Sequence, residues 1–510
     1  MADECSPVNV GVDLPFGSRT YAPDPVLGPA SAPDLFSSDY DRSRDEVAEQ
    51  DGIAVPYGEI VKVLEALGPD LLERRRLAAE SYQRAHSVDF RVTGESIRRS
   101  FPVDVIPRIV GQAEWDSLSR GLEQRARTLD ALLCDVYGQA AAIRDDVLPD
   151  WVLEVPGFNP AGRAFAHQRH RAQVCGTDLV RDPTGRWLVL EDNVRMPSGL
   201  AYAIQNRRMT DDVMPDLPRP SGVCDVSPAP LLLRDALRSS APDRTFGEPR
   251  VALLSEGPSG SAWFEHTMLA DEMGIDLALA EDLLVDEGCL YETTSGVARK
   301  VDVVYLRMSE AELMTATGAD GLALGPRLVG AVEAGEVAVA NALGNGVADD
   351  KAVYSHLPSL IRYYLGEEPI LETVPTYLCR YEDQLRLVIS RLDQLVLKPV
   401  DGYGGSGVVV GSTASDNELD LVRRQILEQP ASWIAQEIVE LSTHPTMTDS
   451  GPEPRHVDLR AFVFVSDATV VAPAALTRVA PEGSMIVNSS RGGGSKDTWI
   501  VCGASARQRS

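Results

Sequence analysis

The stretch from Leu395 to Gly411, LVLKPVDGYGGSGVVVG, limits the possible folds more than any other part of this chain. An apolar run carries Lys398 near its end. The glycine-dense segment Asp401-Gly402-Tyr403-Gly404-Gly405-Ser406-Gly407 follows, and then the β-branched run Val408-Val409-Val410. Strand, glycine turn, strand reads as a hairpin. Glycines accept positive φ and bring bare backbone N–H groups close to a ligand, and a lysine beside them adds a point charge. That combination suits a polyphosphate. Gly402, Gly404 and Gly407 also match the dinucleotide fingerprint, but that motif opens a helix, whereas valines here argue for a strand. No Gly-Lys-Ser/Thr follows, as a P-loop requires, and the kinase V-A-I-K, catalytic-loop and D-F-G sets are missing. Taken alone, the segment also fits an ordinary glycine-rich hairpin, the less favoured reading.

At 510 residues, with 44% hydrophobic content, the chain can build two or three domains with sizeable cores. A formal charge of -28 argues against nucleic acid or an anionic membrane as a partner, because phosphate binding needs a basic surface. There is no run of 18 apolar residues, and the opening MADECSPVNVGVD lacks a basic-then-apolar signal pattern, so a soluble cytoplasmic protein is expected. The seven cysteines are scattered without a C-x-x-C, which argues against a disulfide framework or zinc site and makes buried free thiols the default. Of 48 basic residues only five are lysine: Lys62, Lys300, Lys351, Lys398 and Lys496. An arginine-rich genome accounts for the bias, but a lysine kept in a glycine-rich segment gains weight, since ammonium and guanidinium are not interchangeable.

Residues 1–50 are rich in Pro, Ser, Asp and Gly and read as a flexible arm. Leucines at helical spacing predict helices from Tyr57 to about Ala85 and from Glu114 to Tyr137. Val103 to Val110 reads as strand and turn. Asp178-Leu179-Val180, a turn at Asp182 to Gly185, and Trp187 to Leu190 form a second hairpin ending in Glu191-Asp192-Asn193. Strand alternation puts Glu191 and Asn193 on one face, and the hairpin returns them beside Asp178. Two carboxylates and an amide oxygen make the hard donor set that Mg²⁺ takes, although a solvated acidic strand end would look the same. From Val251 the chain alternates strand and helix, at 264–273, 275–280, 301–306 and 337–341, which predicts a small parallel α/β layer. Asp349-Asp350-Lys351 caps a helix running toward Tyr364. His444 and His456 are expected to be structural.

These segments together resemble an ATP-grasp enzyme whose chain is circularly permuted. The usual order of D-K, strand-Lys-glycine loop, Q-E hinge, D-x-R, an arginine strand and N-x-x-x-G-G runs from Asp350-Lys351 to Asn488 and Gly494. The acidic metal segment, normally last, instead stands near residue 176. The order is similar to that of glutathionylspermidine synthase and, more closely, of the circularly permuted type 2 ATP-grasp family. The specific segments are GTDLVRDPTGRWLVLEDNVRMPSG, VDGYGGSGVVVG, QEIVELSTHPT, RHVDLRAFV and NSSRGGGSKDTW. The sequence departs from the family where Met308-Ser309-Glu310 follows Tyr305-Leu306-Arg307, in place of an expected second arginine and acidic pair.

The resemblance implies a mixed α+β and α/β architecture: a circularly permuted ATP-grasp fold with a small pre-ATP-grasp parallel layer. It divides the chain into the arm (1–50), a helical region plus the permuted metal-binding half (51–215), the pre-ATP-grasp unit (216–345) and the nucleotide-binding part (346–510). ATP and Mg²⁺ are the implied cofactors. Lys351 and Lys398 would hold the α and β phosphates, and the loop of Gly402, Tyr403, Gly404, Gly405, Ser406 and Gly407 would close over the triphosphate. Gln436, Glu437 and Val439 would form the adenine hinge, largely through main chain. Asp178, Glu191 and Asn193 would bind the metal, and Arg478 and Asn488 would stabilise the transferring phosphoryl group. Arg460 would grip a carboxylate or brace the sheet, and Arg195, Ser198 and Arg307 are candidates for substrate contact. The implied reaction joins a carboxylate to an amine or thiol on a small molecule or peptide, through an acyl phosphate. An ATP-binding scaffold without turnover and an ATP-dependent phosphotransferase stay open beside it. A dimer is a reasonable expectation for this fold.

Overall fold

The computed structural model describes residues 35–36, 40–49, 52–91, 98–294, 296–402, 407–487 and 493–503. The fold is organised on a mixed sheet of eight strands among these residues. Its hydrogen-bonded order is Glu372–Thr373, Trp187–Asn193, Val174–Arg181, Gly451–Phe464, Val470–Val479, Gly494–Ile500 and Val103–Val110, with Thr443–Thr448 added alongside Gly451–Phe464. The second predicted hairpin therefore lies inside this sheet. Asp182 closes its turn by accepting from the Thr184 and Arg186 amides at 2.9 and 3.0 Å, and Gly185 supplies a φ of +86°. Val174–Arg181 then pairs antiparallel with Gly451–Phe464, which sets Arg460 opposite Asp178. Alternation divides Gly451–Phe464 between two cores. Phe462 and Phe464 face the helix Leu200–Val213, while Leu459, Ala461 and Val463 face Leu118, Leu122, Leu129 and Leu133 of the helix Gln112–Tyr137.

A second sheet is wholly parallel, in the order Ala338–Ala340, Val303–Arg307, Val251–Ser255 and Asp276–Ala278. A third, antiparallel sheet runs Thr376–Leu378, Trp433–Glu437, Leu395–Pro399 and Val409–Val410. The last two strands are the glycine-rich hairpin read from the sequence. Leu395, Leu397 and Ala435 on one face pack against Val388, Val422 and Ile426 of the helices Glu382–Ser390 and Asp416–Glu428. The helix Asp416–Glu428 starts at a Ser415/Glu418 capping box. Gly411 closes the hairpin against a loop. A Cβ there would stand 1.9 Å from the Leu392 carbonyl oxygen, so no other residue fits.

Several local expectations are corrected. Val103–Val110 is strand throughout, and Pro107 sits at a register shift on the sheet's edge, where a missing N–H does little harm. Asp350 does cap a helix, accepting from the Ala352 and Val353 amides, but the helix ends at Tyr354 and restarts at Leu357. Pro358 lacks the N–H that would bond to Tyr354. The strand Trp433–Glu437 carries Gln436 and Glu437 of the expected hinge, and Val439 lies just beyond its end. Cys224 and Cys502, expected to be free, form a disulfide with Cα atoms 5.5 Å apart. They lie 278 residues apart in sequence and meet only because Val223 bridges to Val501 beside the strand Gly494–Ile500. Cys175 and Cys379 are buried free thiols.

Within the stretch expected to be a flexible arm, residues 40–49 lie against the central sheet. Val47 and Ala48 are buried, and Glu46 accepts from Arg108 at 2.8 and 2.6 Å and from Ser442 at 2.6 Å. None of the helices among the described residues is long and apolar enough to cross a membrane.

Candidate functional site

Between the central sheet and the antiparallel sheet lies a cleft of about 520 Å³. One end is apolar, lined by Val180, Leu190, Val374, Val439, Leu441 and Val487, with Gln436 and Val396 beside them. The other end carries Asp178, Glu191, Lys351, Lys398, Asp458, Arg460 and Arg478. The two hairpins, about two hundred residues apart in the chain, thus line one cavity.

The charged end is built by alternation on strands. Glu191 stands directly across from Asp178, and Asn193 across from Gly176. Asp192, between them, turns to the opposite face and pairs with the buried Arg125 at 2.6 Å. The Asp178 carboxylate accepts from Arg460 at 2.6 and 2.7 Å and meets Arg478 at 2.8 Å. Burial opposes its charge, but the two guanidinium groups outweigh it and hold Asp178 well below the usual carboxylate range. Arg478 also pairs with Asp458 at 2.5 Å. Asp458 lies two residues before Arg460 and so shares its face of the strand. Glu191 pairs with Lys351 at 3.7 Å, and Lys398 and Arg460 also act on its charge. Burial, together with the negative charge of Asp178, pushes its carboxyl above the ordinary value.

Lys351, just after the Asp350 cap, donates to the Gly402 carbonyl. Lys398 is 7% exposed and makes no hydrogen bond or ion pair among the described residues. Burial, with Lys351 adding to it, lowers its ammonium to about 8 despite the opposing pull of Glu191.

Gln436 donates from Nε2 to Thr376 Oγ1 at 3.0 Å. The Glu437 side chain turns away from the cleft, accepting from Tyr377 at 2.6 Å and from both Arg391 terminal nitrogens at 2.9 Å, and its amide donates to Pro375 O. Gly402 and Val439 line the cleft, and Gly407 adopts a φ of +72° just beyond the loop. Tyr403, Gly404, Gly405, Ser406 and Asn488 lie outside the described residues.

The predicted substrate residues separate. Arg195 lines the cleft and pairs with Asp349 at 2.6 Å. Arg307 does not reach the cleft. It is 2% exposed and committed to Glu265 at 3.1 Å, Pro197 O at 2.9 Å and Ser198 Oγ at 2.5 Å. Ser198 in turn accepts from Arg460 through its carbonyl at 3.1 Å, so Arg307 and Ser198 support the loop that carries Arg195. His444 is buried away from the cleft beside Tyr57. The sequence assigns Asp349 only to a helix cap and Asp458 only to the D-x-R motif, with no place for either in the site. Only Asp458 carried a local signal, its two-residue spacing from Arg460.

The permuted order of these elements and the mixed α/β sheets that hold them define an ATP-grasp-type fold, and the chain belongs to the circularly permuted ATP-grasp type 2 family, whose model matches residues 107–480. A Frankia alni protein carrying the provisional name glutamate–cysteine ligase is 50% identical over 492 residues, covering 96% of this chain and 57% of its own length. A Frankia casuarinae protein of like name is 48% identical, over 92% of this chain and 55% of its own. The chain thus spans little more than half the length of these two relatives. An uncharacterized Synechocystis protein is 40% identical over 86% of this chain and 92% of its own. Among solved structures, an apo glutathione synthetase-like effector from Globodera pallida aligns with a TM-score of 0.57 and 10% identity, over 85% of this chain and 98% of that one. That last likeness is one of fold.

Proposed function

We propose that the chain is a Mg-ATP-dependent ligase that joins a carboxylate to an amine or thiol on a small molecule or peptide by way of an acyl phosphate. The observation that carries this reading is the convergence of Lys351 and Lys398 with Glu191 and Asp178 at one end of a cleft whose other end is apolar. An apolar end beside a cationic one suits a nucleotide, with the base in the first and the phosphates on the lysines. A cleft of this size is ordinary for such a ligand. The chemistry of the donor set fits Mg²⁺. Glu191 is a buried carboxylate facing another carboxylate, and a divalent cation would relieve both the desolvation and the repulsion. Among the described residues no group of three or more His, Cys, Asp or Glu could hold a metal. Glu191, the free lone pairs of Asp178 and the Asn193 amide would therefore be completed by phosphate oxygens and water. Bound there, the metal would offset charge on the phosphates during transfer.

The chain's own residues have distinct tasks in this reading. Lys398, desolvated and with no ion-pair partner among the described residues, would hold a phosphate; Lys351 ties the glycine hairpin to the metal strand. Arg460 and Arg478 stand where charge develops on the transferred phosphoryl group and its acceptor carboxylate. Arg195 faces the acceptor end beside Gly157 and Gly346, whose backbones pack too closely to admit a Cβ. The parallel sheet, in the place of a pre-ATP-grasp layer, would present the acceptor through the Ser198 loop. The name of the Frankia relatives favours an amino-acid carboxylate as acceptor.

ADP and phosphate release that requires an added amine or thiol tests the ligase. Glu191→Gln should lower that release at least a hundredfold, roughly the loss of one key electrostatic group. Retained turnover would sink the metal assignment, and a phosphorylated product formed without amine would favour a phosphotransferase.

A further inference from the structure

Two acid–arginine pairs stand side by side on the face of the central sheet that lines the cleft. Arg460 lies directly across from Asp178 on one pair of strands, and Asp458 directly across from Arg478 on the next. Counting nitrogens separates the two arginines. Arg460 gives Nε and Nη2 to Asp178 at 2.6 and 2.7 Å and Nη1 to the Ser198 carbonyl at 3.1 Å, so each of its three nitrogens has an acceptor. Arg478 gives Nε and Nη2 to Asp458 at 3.0 and 2.5 Å, and its Nη2 also meets Asp178 at 2.8 Å. Its Nη1 has no hydrogen-bond partner among the described residues, yet it is not one of the buried atoms left unpaired. That nitrogen is therefore open to solvent, and the cavity that Arg478 lines is the cleft.

The carboxylate of Asp458 is spent on this one neighbour. It is 1% exposed, and Arg478 occupies both of its oxygens. Its main chain is pinned as well: Asp458 O accepts from Arg108 Nη1 at 2.9 Å, and Arg108 is itself held by Glu46 at 2.8 and 2.6 Å. A side-on pair of N–H bonds to one carboxylate fixes the plane of a guanidinium, which a single contact does not. With Nε and Nη2 committed to Asp458, the edge of the fork left over is the one bearing Nη1. Without Asp458, Arg478 would keep only Asp178, which Arg460 already grips through both oxygens, and the plane of the fork would be free to turn.

We infer that Asp458 is a positioning residue that holds Arg478 with Nη1 aimed at the transferring phosphoryl group, and that Arg460 is the brace of Asp178 and not a second contact to that group. The inference rests on the Mg-ATP reading above and divides between two arginines a task which that reading gives to both.

Calorimetric titration of the full chain with Mg-ADP and with non-hydrolysable Mg-AMP-PNP, which carries the terminal phosphoryl group that ADP lacks, tests it. A charge-assisted hydrogen bond to that group should make AMP-PNP bind about tenfold or more tightly than ADP. In Asp458→Asn that ratio should fall to about threefold or less, while affinity for ADP stays within about twofold of wild type. Asp458→Glu keeps the charge but carries it one methylene further, which displaces the fork, and should lower the ratio likewise. Arg478→Gln should lose the same preference, and adding Asp458→Asn to it should change nothing further, because the one residue acts through the other. An unchanged ratio in Asp458→Asn, or losses that add in the double variant, would overturn the role of Asp458. A ratio retained in Arg478→Gln would return the contact to Arg460 and overturn the division between them. Equal wild-type affinities for the two nucleotides would overturn the phosphoryl contact while leaving nucleotide binding intact, and failure to bind either would overturn the nucleotide reading itself. Should Asp458→Asn not fold, the glutamate variant decides, since an unchanged ratio there would show that the charge matters and its placement does not.

Discussion

Lys398 allows stability and binding to be separated. An ordinary lysine titrates near 10.5 and this one at about 8, because burial strips water from its ammonium. At about 1.4 kcal/mol for each tenfold change in proton affinity, holding the charge in the cleft costs the folded state about 3 kcal/mol. The direction with pH follows from the proton count. Below pH 8 both folded and unfolded chains carry the proton, and the whole cost is present. Between pH 8 and 10.5 the unfolded chain keeps the proton while the folded one sheds it, so stability rises with pH, and above that window the cost has gone. Lys398→Met retains the length of the side chain without its charge. Denaturant unfolding of the two proteins, at matched pH and without nucleotide, should find the methionine variant more stable by up to about 3 kcal/mol below pH 8, with the gap closing toward pH 10.5. Calorimetry on the same variant should show Mg-ADP binding weakened at least tenfold, about the worth of one lost charge-assisted hydrogen bond. A methionine variant less stable than wild type at neutral pH, or a gap that does not change with pH, would refute the reasoning.

Asp178→Asn should destabilise the metal-free protein by about 3 kcal/mol or more, since Arg460 and Arg478 would lose their shared carboxylate inside the protein. In the wild type that contribution is present at neutral pH and fades as pH falls below 3.8 toward the depressed folded-state value, which acid unfolding of the two proteins would reveal. Arg307→Met should cost a similar amount by stranding the buried Glu265, while leaving the affinity for Mg-ADP within about twofold. A large loss of nucleotide affinity in a stably folded Arg307 variant would return this residue to the cleft.

What could be read from the sequence was local. Both hairpins, the Asp350 cap and the strand–helix alternation after Val251 follow from turn chemistry and periodicity, and these reach only across a few residues. The sharing of a face by Glu191 and Asn193 follows from strand geometry alone. The pairing of Asp178 with Arg460 does not, because it joins residues 282 apart and depends on which strands lie side by side. The family motif order brought these segments together on paper, yet it could not tell an arginine that faces the cleft from one that braces it. The motif order therefore groups Arg307 with Arg195, although its strand ends beneath the loop and not at the cavity. Thr376 gives no signal at all, since its contact with Gln436 depends on which strands lie side by side. The disulfide escaped for the same reason as the ion pairs: cysteine spacing carries no information when the partners sit on distant segments of the chain.

The permutation also has a consequence for the order in which the protein can be made. The strand bearing Asp178 leaves the ribosome well before the neighbours that neutralise it, on Gly451–Phe464 and Val470–Val479. The parallel pairing of Gly494–Ile500 with Val103–Val110 is likewise postponed. A nascent chain must therefore carry an open sheet edge and an uncompensated acidic strand until those later strands are made, a state that invites chaperone capture.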